Sequence, residues 1–88
     1  MSHAHLVVYR SLSAKQRTEL AAAVNKDGHL YPYSSGRWSH REGNRRGARW
    51  VHVTTLNRLR ERGLIEWDNY GYMPTEQGRR VIAAGEAA

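Results

Sequence analysis

Residues 51–67 read VHVTTLNRLRERGLIEW, and most of what can be said of the chain's architecture starts there. At 100° per residue, Thr55, Leu56 and Leu59 fall on one side of a helix spanning 52–62. Thr54, Asn57, Arg58 and Glu61 fall on the other. Gly63 follows as a C′ residue, where a left-handed backbone ends a helix without a Cβ penalty. Leu64 and Ile65 then open a strand, LIEW, and the turn DNYG (68–71) reverses the chain into a partner strand beginning Tyr72–Met73. The segment therefore predicts a helix that buries two leucines, followed directly by a β-hairpin.

Beyond the hairpin, Thr75 is placed to cap a closing helix, TEQGRRVIAA (75–84), whose Val81 and Ile82 return to the core. Upstream, SAKQRTELAAAVNKDG (13–28) carries a capping box, Ser13 with Gln16 three residues on, and Gly28 as its stop. Leu20, Ala23 and Val24 share one face of that helix, and its small alanines point to close packing on a neighbour. HLVVYR (5–10) is rich in β-branched residues and predicts a short strand, so residues 1–11 are expected as an N-terminal strand or arm. Between Tyr31 and Trp50 the helical signals fail, because Pro32, Gly36, Gly43 and Gly47 interrupt the stretch. HLYPY (29–33) and RWSHR (37–41) flank SSG as a small hairpin, and the basic stretch 37–49, ending EGNRRGAR, is expected to be a mobile loop. The sum is an α+β fold of about three helices and two small hairpins.

The chain has 88 residues, enough for one domain (1–88) with a small core. It lacks cysteine, which removes disulfides and thiolate metal sites. No apolar run is long enough to span a bilayer, and the opening MSHAHLVVYR does not have the form of a secretory signal, so a cytoplasmic protein is expected. The formal charge is +6 and is concentrated. Residues 37–62 hold eight arginines against Glu42 and Glu61, a net +6, and the rest of the chain sums to zero. Clustered charge of this kind is the footprint of a polyanion binder, since each cation set against a phosphate releases a counterion. Arginine supplies 12 of the 14 basic residues, and its planar fork grips phosphate or a guanine edge where lysine acts as a point charge.

VHVTTLNRLRERGLIEW followed by YGYMPTEQGRRVI (70–82) resembles the second half of a winged helix-turn-helix domain. In that family, which includes small MarR-like regulators of bacteria and phages, a recognition helix ends in arginine-glycine-leucine. A hairpin wing follows, and threonine-x-x-glycine opens the next helix. LSAKQRTELAAAV (12–24) is similar to the family's first helix, so the resemblance covers about 12–84. It implies a winged-helix-like fold with 52–62 as recognition helix and 67–72 as wing. Two differences stand out: the wing reads WDNYGY, with Asp68 where many wings are basic, and the second helix, due between 30 and 50, is reduced or missing.

By that resemblance His52, Thr54, Asn57 and Arg58 are the candidate base contacts on duplex DNA, Asn57 suiting adenine and Arg58 guanine. Arg37, Arg41, Arg45, Arg46, Arg49 and Arg62 are the candidate phosphate contacts. The expected role is a small transcriptional regulator or phage-type accessory factor. One alternative is an adaptor or inhibitor on the same scaffold that docks an acidic protein. Another is single-stranded nucleic-acid binding by stacking, because seven of the eight aromatic residues lie between 31 and 72, among the arginines. In a chain without phenylalanine, however, Trp38, Trp50 and Trp67 are expected to serve the core first. The five histidines show no metal-ligand spacing, and neither a nucleophile motif nor an acid pair is present, so no metal, cofactor or catalytic activity is expected. A homodimer, paired through HLVVY across a two-fold axis, stays open beside a strand that covers its own core.

Overall fold

The structure, a computed structural model, describes residues 3–27, 30–34, 37–39 and 50–88. Among these the elements run α1 (His3–Ser11), α2 (Ala14–Ala22, continued by a π-helical turn, Ala23–Asp27), β1 (Tyr31–Ser34), β2 (Arg37–Ser39), β3 (Trp50–His52), α3 (Val53–Glu61), β4 (Ile65–Trp67), β5 (Tyr72–Pro74) and α4 (Glu76–Ala87). The class is α+β, with four helices where three were expected. Strands β1, β2 and β3 form an antiparallel sheet in that order, and β4 and β5 form a separate antiparallel hairpin. The expected pairing of the runs on either side of SSG is there as β1 and β2, but a third strand joins it, Trp50–His52, whose last residue was expected to start the helix. Arg37–Ser39 are strand, as the hairpin reading of RWSHR expects and a loop starting at 37 does not, and residues 40–49 lie outside the described part.

Ser13 and Gln16 make the expected capping box at the start of α2. The Gln16 N–H donates to Ser13 Oγ (3.1 Å), and the Ser13 N–H donates to Gln16 Oε1 (3.0 Å). Leu20 and Ala23 are fully buried and Val24 packs against the core, as their spacing predicts. The expected stop, Gly28, lies outside the described residues. The buried centre is completed by Leu30, Val51, Leu56, Leu59, Leu64, Ile65, Val81 and Ile82, so α2, α3 and α4 each contribute one apolar face. Leu56 and Leu59 anchor α3, and burying each contributes roughly 1.5–3 kcal/mol.

The N-terminal segment departs from expectation. Residues 5–10 lie within helix α1, not a strand, and this also removes strand pairing through HLVVY, whether across a two-fold axis or over the chain's own core. Val8, Tyr9 and Leu12 turn inward at helical spacing while Val7 is half exposed, and α1 packs chiefly on α4. Its last carbonyls are satisfied from a distance: Arg17 on α2 donates from Nε to the Tyr9 carbonyl (2.9 Å) and from its terminal nitrogen to that of Arg10 (2.8 Å). The same guanidinium lies 4.8 Å from the centre of the Tyr9 ring. Capping by a side chain seven and eight residues downstream outweighs the strand preference of Val7 and Val8.

The end of α3 is a Schellman turn. Gly63 has φ +72°, its N–H donates to the Arg60 carbonyl (3.0 Å), and the Leu64 N–H donates to the Leu59 carbonyl (3.0 Å). Thr75 caps α4 by accepting from the Gly78 N–H (3.0 Å) and donates its hydroxyl proton back to the Gly63 carbonyl (2.8 Å). The Leu64 carbonyl accepts from the Thr75 N–H (3.0 Å), and a Cβ at position 78 would run into that same carbonyl oxygen. The start of α4 is thus locked to the end of α3.

Two stability outcomes follow. Leu59→Ala should destabilise the protein by about 2–5 kcal/mol as a buried truncation, and an unchanged melting curve would refute the inward placement of that face. Gly78→Ala should cost about 1–3 kcal/mol by overpacking against the Leu64 carbonyl, read as a lowered urea midpoint at constant m-value.

Candidate nucleic-acid interface

Strand β3 runs into α3 without a loop, so the outer face of the sheet continues onto the first turn of the helix. In the register of β2 and β3, Arg37 pairs with His52, Trp38 with Val51, and Ser39 with Trp50. Opposed residues of an antiparallel pair share a face, and successive residues alternate between faces. Val51 is fully buried and Trp38 packs beside it, which puts Arg37, Trp50 and His52 together on the opposite side.

His52 joins strand to helix. As N-cap of α3, with extended backbone, it accepts the Thr54 N–H on Nδ1 (3.1 Å). The accepting nitrogen carries no proton, so in the neutral ring the proton sits on Nε2 and can donate to a neighbouring acceptor. Beyond it, Thr54 and Arg58 are exposed and Asn57 is half-buried, one helical face apart from Leu56 and Leu59 as their spacing predicts. Among the described residues Arg58 and Glu61 form no ion pair, so the guanidinium is not neutralised along its own helix. Arg60 is exposed as well.

The other predicted positions divide. Arg37 is exposed on β2, and its guanidinium lies over the Trp50 ring, 4.6 Å from the ring centre. Arg62 stands at the opposite end of α3, where it caps the helix and donates to the Ser11 hydroxyl at the end of α1. A nine-residue helix is roughly 13 Å long, so Arg62 belongs to a different part of the surface from His52. Arg41, Arg45, Arg46 and Arg49 lie outside the described residues. In sequence they fall between β2 and β3.

At the hairpin, Asp68 turns inward on its own turn. Its carboxylate accepts the N–H groups of Tyr70 (3.1 Å) and Gly71 (3.2 Å), while Asn69 takes the left-handed backbone at φ 85°. Asp68 is thus the residue that shapes the turn. Gly71 is required by close approach: the N–H and carbonyl of Tyr72 bond Leu30 (2.9 and 2.6 Å), and a Cβ at 71 would come within 2.5 Å of the Leu30 carbonyl oxygen.

The aromatic residues also correct the sequence reading. Trp38 packs against the core, but Trp50 and Trp67 are 45% and 52% exposed rather than buried. Tyr72 sits between Trp38 and Trp67, edge to face with each at 5.3 and 5.5 Å between ring centres, and so links the sheet to the hairpin. Trp50 and its arginine were missed as a surface pair. Trp50–His52 alternate exposed, buried, exposed about Val51, and Arg37 follows from its pairing with His52, whereas Ser39 on that same side is buried.

Among the described residues no group of three His, Asp or Glu side chains is arranged to hold a metal ion. No helix among them is long and apolar enough to cross a membrane. The chain matches no family model, no curated protein and no solved structure.

The capping role of His52 has a direct consequence. His52→Ala should cost about 1 kcal/mol in urea denaturation, whereas His52→Asn, which retains a side-chain acceptor, should cost only a few tenths. Equal losses in the two variants would show that the Nδ1 bond does not support the helix.

Proposed function

We propose that the protein is a small winged-helix-like DNA-binding protein that lays the outer face of α3 against duplex DNA. The observation that carries this reading is the unequal treatment of the two ends of α3. The C-terminal end is tied to α1 and α4 through Arg62, Gly63 and Leu64. The N-terminal end opens onto an exposed face bearing Arg37, His52 and Thr54, next in sequence to four further arginines. A helix held from behind with a cationic N-terminal approach suits a major groove, where the first turns of a recognition helix meet base edges.

In this reading Thr54, Asn57 and Arg58 meet base edges, with His52 at the entrance donating from Nε2. Arg37, Arg41, Arg45, Arg46 and Arg49 take phosphates on one flank, whereas Arg62, engaged with Ser11 at the far end of the helix, holds α3 against α1. The three-stranded sheet occupies the interval in which the family resemblance calls for a second helix, so it supports α3 in that helix's place. Residues 67–72, the end of the hairpin, are the wing. A regulator of transcription or a phage-type accessory factor is the role that fits.

A second reading is favoured by one observation. The wing presents Trp67 and Tyr70, the latter 75% exposed, and has no cation at its tip. That surface suits a protein partner better than a phosphate backbone, as in an adaptor whose arginines meet an acidic protein.

Fluorescence anisotropy with a labelled duplex across a salt series separates the two. On the DNA reading, log Kd depends steeply on log salt, and Arg37→Ala lowers the slope by about 0.9, the loss of one phosphate contact. Absence of duplex binding at low salt would overturn it and direct the search to an acidic protein.

A further inference from the structure

We infer that Trp50 is a stacking platform for an unpaired nucleobase beside the duplex surface, so that the preferred ligand is duplex DNA adjoining a single-stranded stretch. The inference rests on the DNA-binding reading of α3 and adds a second subsite to it. An indole is the largest apolar side chain, and this one stays 45% exposed in a chain with no phenylalanine to fill its core. Single exposed apolar residues are common and by themselves indicate nothing. Position sets Trp50 apart.

The ring is held, not merely exposed. Strand β3 fixes its backbone, Val51 next to it is locked in the core, and the Arg37 guanidinium covers one face at 4.6 Å from the ring centre. The exposed area therefore belongs chiefly to the opposite face and the rim. A ring already confined to one orientation loses little freedom when a base stacks on it, and the arginine keeps a positive charge beside it for the flanking phosphate. Ser39, directly across from Trp50 in the register, is buried, so the indole is the part of this pair that solvent reaches.

The surroundings distinguish Trp50 from the other exposed tryptophan. Trp67 lies between Glu66 and Asp68 in sequence and meets Tyr72 edge to face, an acidic setting that repels a phosphate chain. Trp50 lies between Arg49 in sequence and Arg37 in space, two residues ahead of the N-cap of α3. Aromatic faces set in a cationic surface grip single-stranded nucleic acid regardless of base, since every base has a π face. A strand leaving the groove at the N-terminal end of α3 meets this ring first.

The test compares a blunt duplex, the same duplex with a short unpaired oligothymidine tail, and free oligothymidine, by anisotropy with the full chain. Trp50→Ala and Trp50→Tyr are measured alongside, with circular-dichroism melts to show that both variants fold. The wild type should bind the tailed duplex at least about fivefold more tightly than the blunt one. That ratio should fall to about one in Trp50→Ala and be largely retained in Trp50→Tyr, where a ring remains. A wild-type ratio of one, or a tail preference that survives in Trp50→Ala, overturns the stacking site and leaves the duplex reading standing. Binding of free oligothymidine that depends on Trp50, without any binding of blunt duplex, supports the stacking site while removing the duplex reading. No binding of any probe overturns both.

Discussion

The hydroxyl of Thr75 is the contact on which the arrangement of the helices depends. It accepts the N–H of Gly78 and donates to the carbonyl of Gly63, so one oxygen caps α4 and satisfies the exit of α3. The Thr75 N–H closes the same junction onto the Leu64 carbonyl, and Gly78 lets α4 approach that carbonyl more closely than any side chain would permit. Buried backbone groups at helix ends must find partners, and here the two ends are partners to each other. Because the junction sets the end of α3 against the start of α4, it sets which side of α3 meets the core and which side meets solvent.

From that fixed end the surface properties follow in order. Leu56 and Leu59 turn inward, leaving Thr54 and Arg58 outside, and the helix start is fed directly by β3. The small sheet is attached to the rest through Val51 in the core and through Tyr72, which lies between Trp38 of the sheet and Trp67 of the hairpin. Arginines divide between two tasks. Arg17 and Arg62 close the end of α1, whereas Arg37 and Arg58 stand on the outer surface. Total charge says nothing about that division, since a guanidinium serves equally as a helix cap or as a phosphate ligand.

Local chemistry made several elements legible in advance. The capping box at Ser13 and Gln16, the glycine exit at Gly63, the turn at 68–71 and the Thr75 cap each involve residues within five positions of one another, and each forms as the residue order implies. The inward pair on α3 and the inward pair Val81 and Ile82 on α4 were equally readable, because helical periodicity is a property of the chain itself. Within the candidate site, the exposure of Thr54 and Arg58 came from the same periodicity.

Short-range chemistry was therefore enough for the caps, the turns and the inward faces of α2, α3 and α4, and residue order alone shows the concentration of charge in one segment. Tertiary structure alone decided that residues 3–11 are helical, since Arg17 and the packing surface of α4 supply from elsewhere what Val7 and Val8 do not favour locally. It also decided that Trp50–His52 form a third strand, that Trp50 faces outward under Arg37, and that Arg62 is turned toward Ser11. These outcomes share a cause. Each depends on a partner distant in sequence, and a residue's preference for helix or strand, core or surface, amounts to about 1 kcal/mol or less until such a partner adds to one side.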